Sequence, residues 1–157
     1  MTARIIDGKS AALTLRTEVA AETTRFAFLF TRVGLTGADM GAGYLLPRVV
    51  GSGRAAELLM LGDTIDAATA DRYGLINRLV SGADPLPAAL EWARRLAAGP
   101  SLALGMTKGM LNNEWNMDLT AALEAEAQAQ ALLMMGGDHR RFYEAFQTKR
   151  KPQFAGD

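Results

Sequence analysis

The chain has no cysteine and a single histidine, His139. The first absence excludes disulfides, thiol catalysis and cysteine-based metal sites, and the second excludes a histidine cluster. Net charge is also lacking. Lys+Arg and Asp+Glu each number 17, so no overall field draws the protein toward nucleic acid. No apolar run approaches the ~18 residues that a membrane-spanning helix needs. Arg4, Asp7 and Lys9 interrupt any apolar core that a secretory signal would require near the N-terminus. These absences lead us to expect a cytoplasmic, metal-free protein that binds neither membrane nor nucleic acid.

What is present is ordinary globular composition. Hydrophobic residues make up 49% and charged residues 22% of 157, enough for one domain with a real core rather than a disordered chain. Short β-type stretches are expected at Val19–Ala21 and Arg25–Phe30. Helical periodicity follows over Met40–Val50 and Arg54–Leu61, separated by Gly51-Ser-Gly53. Asp66 is placed to cap a short helix ending at Gly74, and Leu75–Val80 reads as a strand. Beyond Pro85 the pattern is wholly helical: Leu86–Ala98, Ser101–Asn113, Asp118–Met135, and a last helix from Asp138 to about Arg150. Ser101, Asp118 and Asp138 are the candidate caps there. A helix over Ser10–Arg16 is expected near the start. The architecture is thus one domain, with a β/α core over 1–80 and a helical C-terminal region over 81–157.

One segment concentrates chemistry: Gly34-Leu-Thr-Gly-Ala-Asp-Met-Gly-Ala-Gly-Tyr44, running on to Pro47-Arg-Val-Val-Gly51. It sets a single acid, Asp39, in a glycine-rich turn just before an apolar helix. Glycines permit close backbone approach, and a helix N-terminus offers unpaired N–H groups. A carboxylate fixed there is either a helix cap or the working acid/base of a site. Elsewhere the bland readings win. Glu57 with Arg54 reads as a solvated pair, His139 as a surface histidine, and the helical methionines as core or subunit interface.

Six blocks, in order, resemble the crotonase family of enoyl-CoA hydratases and isomerases. They are Ala20-Ala-Glu-Thr-Thr-Arg-Phe26, Val33–Gly41, Pro47–Gly51, Arg54–Gly62, Ile65–Leu79 and Phe146-Gln-Thr-Lys-Arg-Lys-Pro-Gln-Phe154. The resemblance covers roughly residues 10–155, but only the later part of the family's usual fold. The strand–turn–strand units that normally come first, with half of an oxyanion hole, have no counterpart upstream of Ser10. The implied fold is therefore α/β and crotonase-like, N-terminally truncated, mostly helical with a few short strands.

The resemblance also implies a site. The family holds a thioester carbonyl between two backbone N–H donors, which stabilise an enolate while carboxylates move protons. The second donor would come from the turn Asp7-Gly-Lys-Ser10, so from the backbone of Gly8 and Lys9. The two glutamates of the hydratase subgroup fall on Ser10 and Phe30, which argues against two-glutamate hydration. A branch resembling dienoyl-CoA isomerases and aryl-CoA dehalogenases instead uses an aspartate in the glycine-rich turn, which is Asp39 here. Phe28, Phe30 and Tyr44 would line the acyl pocket, and Phe146 and Lys149 would meet coenzyme A. No separate cofactor is implied, because coenzyme A arrives as the thioester substrate. Trimers or hexamers built through the C-terminal helices are the implied assembly. The alternative is a truncated, non-catalytic remnant: a self-associating module or half of a split enzyme.

Overall fold

A computed structural model describes residues 19–157, which fall into two compact units, residues 19–90 and residues 91–157. The helix at Ser10–Arg16 and the turn holding Gly8 and Lys9 lie outside the described residues. Among the described residues, no helix is long and apolar enough to cross a membrane.

The first unit opens with strand β1 (Val19–Ala21) and strand β2 (Arg25–Phe26), followed by a 3-10 turn at Leu29–Val33. Helices α1 (Ala42–Val50) and α2 (Ser52–Leu61) come next, then β3 (Ile65–Asp66), α3 (Ala67–Tyr73) and β4 (Arg78–Val80). β1 pairs in parallel with β4, Ala20 opposite Leu79, and β2 pairs antiparallel with β3, Phe26 opposite Ile65. The strand expected over Arg25–Phe30 stops at Phe26 for a physical reason. In the antiparallel register Ala27 and Phe28 would lie opposite Thr64 and Asp63, which precede β3, so a longer β2 would have had no ladder to join. The aromatic residues beyond it coil into the 3-10 turn instead. The strand expected over Leu75–Val80 is likewise confined to its last three residues, the only ones opposite β1.

Two apolar clusters hold this unit together. One joins Ala20, Ala67, Ala70 and Ile76, and the other joins Leu46, Val50, Ala55 and Leu58. Ile65 and Leu75 pack against both and tie them together. The fully buried alanines of α3 let that helix approach the strands closely, at little side-chain entropy cost. α1 forms despite an interior proline, Pro47, which deprives the Gly43 carbonyl of its usual partner. Burial of Leu46 and Val50 against α2 offsets that loss. A single residue, Gly51 at φ 83°, separates α1 from α2, and α2 begins at Ser52 rather than at Arg54. Asp66 caps α3 as its spacing predicts, accepting from the Thr69 N–H at 2.8 Å, and Gly74 closes the helix at φ 72°.

α4 (Leu86–Ala97) runs across the boundary in sequence between the units. The second unit contains α5 (Ser101–Asn113), a 3-10 turn at Glu114–Asn116, α6 (Leu119–Met134) and α7 (Gly137–Gln147). Asp118 caps α6, its carboxylate accepting from the Ala121 N–H at 3.0 Å. Two other expected caps are corrected. The N-cap of α5 is Pro100, not Ser101, and that of α7 is Gly136, not Asp138. α7 also ends at Gln147, three residues before Arg150. This unit buries few of its apolar side chains. Leu119 is 74%, Met134 64% and Phe146 71% exposed, whereas Ala129 alone among its described hydrophobic residues is buried.

Candidate functional site

The glycine-rich turn is built around one close approach. A Cβ added at Gly37 would lie 2.3 Å from the Leu59 carbonyl oxygen, so the turn presses against α2 backbone where only glycine fits. Thr36 accepts the Ala38 N–H through its hydroxyl at 3.2 Å, fixing the next residue. Met40 then takes a left-handed φ of 46°, and Gly41, at φ 88°, is the N-cap of α1. The Ala42 N–H returns to the Asp39 carbonyl at 2.8 Å.

Asp39 is therefore held through its main chain. No side chain caps α1, so the capping alternative for its carboxylate is not realised. Among the described residues no hydrogen bond or ion pair engages that carboxylate, which is exposed. Met40, the next residue, is 94% exposed and turned to solvent, so it does not cover the carboxylate. The aromatic residues assigned to an acyl pocket divide. Phe28 is half-buried against Leu46, Val50, Ala55 and Leu58, so it serves the core. Phe30 (40%) and Tyr44 (44%) present open surface in the same unit as Asp39. One face of the Tyr44 ring is covered by Arg48, whose guanidinium sits 3.6 Å from the ring centre and donates to the Tyr44 carbonyl at 2.7 Å. Beside the turn, Thr31, Gly37, Ala38, Pro47, Ala55 and Leu59 line a groove of about 390 Å³.

Arg54 departs from its expected pairing with Glu57. It lies over the Tyr73 ring at 4.7 Å and donates to the Tyr73 carbonyl at 3.4 Å, clasping α2 to α3.

In the second unit, Phe146 stacks on Phe142 with ring centres 6.2 Å apart, both largely exposed. Lys149 is exposed and left-handed, at φ 52°, in the turn that ends α7. The residue that sequence reasoning misassigned here is Asp138. It is 7% exposed, the one buried charged residue among those described, and it receives the chain's last residues. Its carboxylate accepts the N–H of Ala155 at 2.7 Å, that of Gly156 at 2.9 Å and the Arg141 guanidinium at 2.8 Å. Arg141 also grips both carboxylate oxygens of Asp157. Burial pushes the Asp138 carboxyl up, but the bonds from Ala155, Gly156 and Arg141 outweigh it and hold the group below its ordinary value of 3.8. Hydrogen bonding by Arg141 holds Asp157 low, and its bonds to Asp157 and Asp138 raise the guanidinium in turn. His139, read as a surface residue, borders a cavity of about 430 Å³ whose walls include Leu102, Leu133, Phe142 and Phe154. No group of three or more acidic or histidine side chains suited to a metal occurs among the described residues.

Comparison with known proteins supplies the class. The sequence matches the enoyl-CoA hydratase/isomerase family over residues 7–157. It is 36% identical over 138 residues to 1,2-epoxyphenylacetyl-CoA isomerase of Escherichia coli K12, covering 88% of this chain and 52% of that protein. It is 33% identical over 136 residues to crotonyl-CoA hydratase of Syntrophomonas wolfei, covering 87% and 52% respectively. Among solved structures, a candidate enoyl-CoA hydratase from Streptomyces coelicolor A3(2) superposes with a TM-score of 0.85 at 56% identity, covering 88% of this chain and 50% of that one. The enoyl-CoA hydratase of Bacillus anthracis gives a TM-score of 0.83 at 30% identity, covering 88% and 54%. The fold is the α/β fold of these enzymes, and the chain belongs to the enoyl-CoA hydratase/isomerase, or crotonase, family. It spans about half the length of the curated relatives it matches.

Proposed function

We propose that this chain acts on an acyl-CoA thioester by enolate chemistry of the hydratase/isomerase type, with Asp39 as the acid/base. One observation carries the reading: the Asp39 backbone is pinned by a turn that only glycine permits, while its carboxylate is committed to no cap and no ion pair among the described residues. A side chain oriented by its main chain, with a free carboxylate, is equipped to exchange protons with a bound molecule. Similarity to an isomerase acting on an acyl-CoA is in keeping with this role.

In the proposed step, the Asp39 carboxylate takes a proton from a carbon activated by the thioester. The electron pair moves onto the thioester oxygen, and the resulting enolate is stabilised by backbone N–H donors, with Gly8 and Lys9 as candidates. The protonated Asp39 returns the proton to another carbon of the conjugated system. Charge and atoms balance without a cofactor. Phe30 and Tyr44 offer apolar surface to the acyl group, and Phe146 and Lys149 offer a π-face and a positive charge to the adenine and phosphates of coenzyme A.

Titration of the chain with a non-hydrolysable acyl-CoA, followed by calorimetry, tests the reading. Saturable binding is expected for both the native chain and Asp39→Asn. Absence of binding by the native chain would overturn it.

The exposed apolar residues of α6 and α7 favour a companion reading in which these helices meet further copies of the chain, as a trimer or hexamer would require. Sedimentation equilibrium decides this directly, since a monomer at micromolar concentration would remove it.

A further inference from the structure

The segment after α7 is fastened at both ends, and the fastenings lie on either side of Lys149. At the near end, the Lys149 N–H returns to the Phe146 carbonyl at 3.1 Å and the Arg150 N–H to the Ala145 carbonyl at 2.8 Å. Between them Lys149 holds the left-handed conformation of a helix C-terminal turn, uncommon for a residue with a Cβ and fixed here by those two bonds. That turn reverses the chain, and the tail runs back to the beginning of the helix it has just left. There Asp138 and Arg141 take hold of Ala155, Gly156 and Asp157, and the Asp138 N–H donates to a main-chain oxygen of Asp157 at 3.2 Å.

The helix start is shaped to receive the tail. A Cβ at Gly137 would lie 2.8 Å from an Asp157 carboxylate oxygen, and one at Gly136 would lie 3.1 Å from the Asp157 main-chain oxygen. Gly156 itself sits at φ 86°, and a Cβ there would stand 2.3 Å from the Ser101 hydroxyl. Two glycines of the helix start, a nine-tenths buried aspartate side chain and a forked arginine thus converge on three tail residues, one of them a glycine held close to Ser101. Pro152 stiffens the span between the two fastenings, and Phe154 adds a wall to the 430 Å³ cavity. An ordinary helix cap would need none of this.

We propose that Asp138 and Arg141 are positioning residues for the nucleotide end of the substrate: they clamp the tail so that Lys149 is presented in a fixed place to coenzyme A. The inference rests on the acyl-CoA reading above. Neither residue touches substrate; each acts through the tail it holds. Freed at its far end, the tail leaves the left-handed turn held by its two main-chain bonds to α7 alone, so the lysine charge spreads over more positions and a preorganised contact becomes one that must be ordered at each binding event.

Steady-state kinetics on an acyl-CoA and on the matching acyl-pantetheine thioester, which lacks the nucleotide, separates this role from a general loss of structure. Asp138→Asn keeps the side chain's shape, and Arg141→Gln removes the guanidinium from both Asp157 and Asp138 while leaving the Asp138 bonds to Ala155 and Gly156 in place. Both are expected to speed amide exchange at Ala155 and Gly156, to raise KM for the acyl-CoA about tenfold, the size of one lost charge-assisted contact, and to leave its kcat unchanged. KM for the pantetheine thioester should not move, and Lys149→Ala should reproduce the pattern without adding to Asp138→Asn. Faster exchange with an unchanged acyl-CoA KM would overturn the inference while the acyl-CoA reading stands. Equal losses on both thioesters would assign the clamp to stability alone and overturn it as well. A native chain that neither binds nor turns over acyl-CoA would remove the reading itself, and the inference with it.

Discussion

At the scale of single residues, Asp39 and Gly37 depend on each other. The glycine lets the turn press onto the Leu59 carbonyl, and that contact fixes where the aspartate backbone sits. Gly37→Ala forces backbone against backbone, so we expect a loss of about 1–3 kcal/mol in unfolding free energy, typical of overpacking and read as a lower denaturant midpoint. Activity should fall with it, because the carboxylate is displaced. Asp39→Asn should leave stability near native, since its carboxylate makes no structural bond among the described residues. Comparing the two midpoints by urea unfolding checks both statements: a strong effect of Asp39→Asn would reveal a structural role instead.

The helices and strands show how far local sequence reaches. β1, α3 and α6 lie where their patterns place them, because the signals that bound them are local: Asp66 and Gly74 around α3, Asp118 before α6. Asp118→Ala should therefore cost about 1 kcal/mol, the ordinary value of an N-cap, read as a lower thermal midpoint. Ile76, buried between α3 and β1, should cost about 2–4 kcal/mol on truncation to alanine. Signals fail where a partner far along the chain decides. The length of β2 is set by where β3 begins, since the residues after Phe26 would have to pair with Thr64 and Asp63, which lie ahead of Ile65. Asp138 has the spacing of a cap, yet its partners are residues 17 and 18 positions later, which no local window contains. The identity of Asp39 as the candidate acid was legible, since a lone acid in a glycine-rich turn is a local pattern. That α1 would be capped by Gly41 rather than by Asp39 was not, because it depends on the left-handed backbone of Met40 and Gly41.

For the whole molecule, acid stability follows from the carboxylates that folding holds low. Asp66, kept low by its bonds to Thr69, and Asp138 and Asp157, kept low by the clamp, all bind protons more readily in the unfolded chain, where 3.8 is the ordinary value. Their contribution is complete well above pH 3.8. It declines as the pH drops through that value and vanishes below the folded pKa. The thermal midpoint of the native chain should thus exceed that of Asp138→Asn at neutral pH, by a margin that narrows on acidification. A margin constant from pH 7 to pH 3 would contradict this.

Exchange of solvent deuterium into the activated carbon of a bound acyl-CoA, followed by NMR, measures proton transfer by Asp39 whatever the final product. The native chain should exchange, and Asp39→Asn should bind the same thioester but exchange roughly 10²–10⁴-fold more slowly. Equal rates in the two proteins, or no exchange in the native chain, would contradict the role assigned to Asp39.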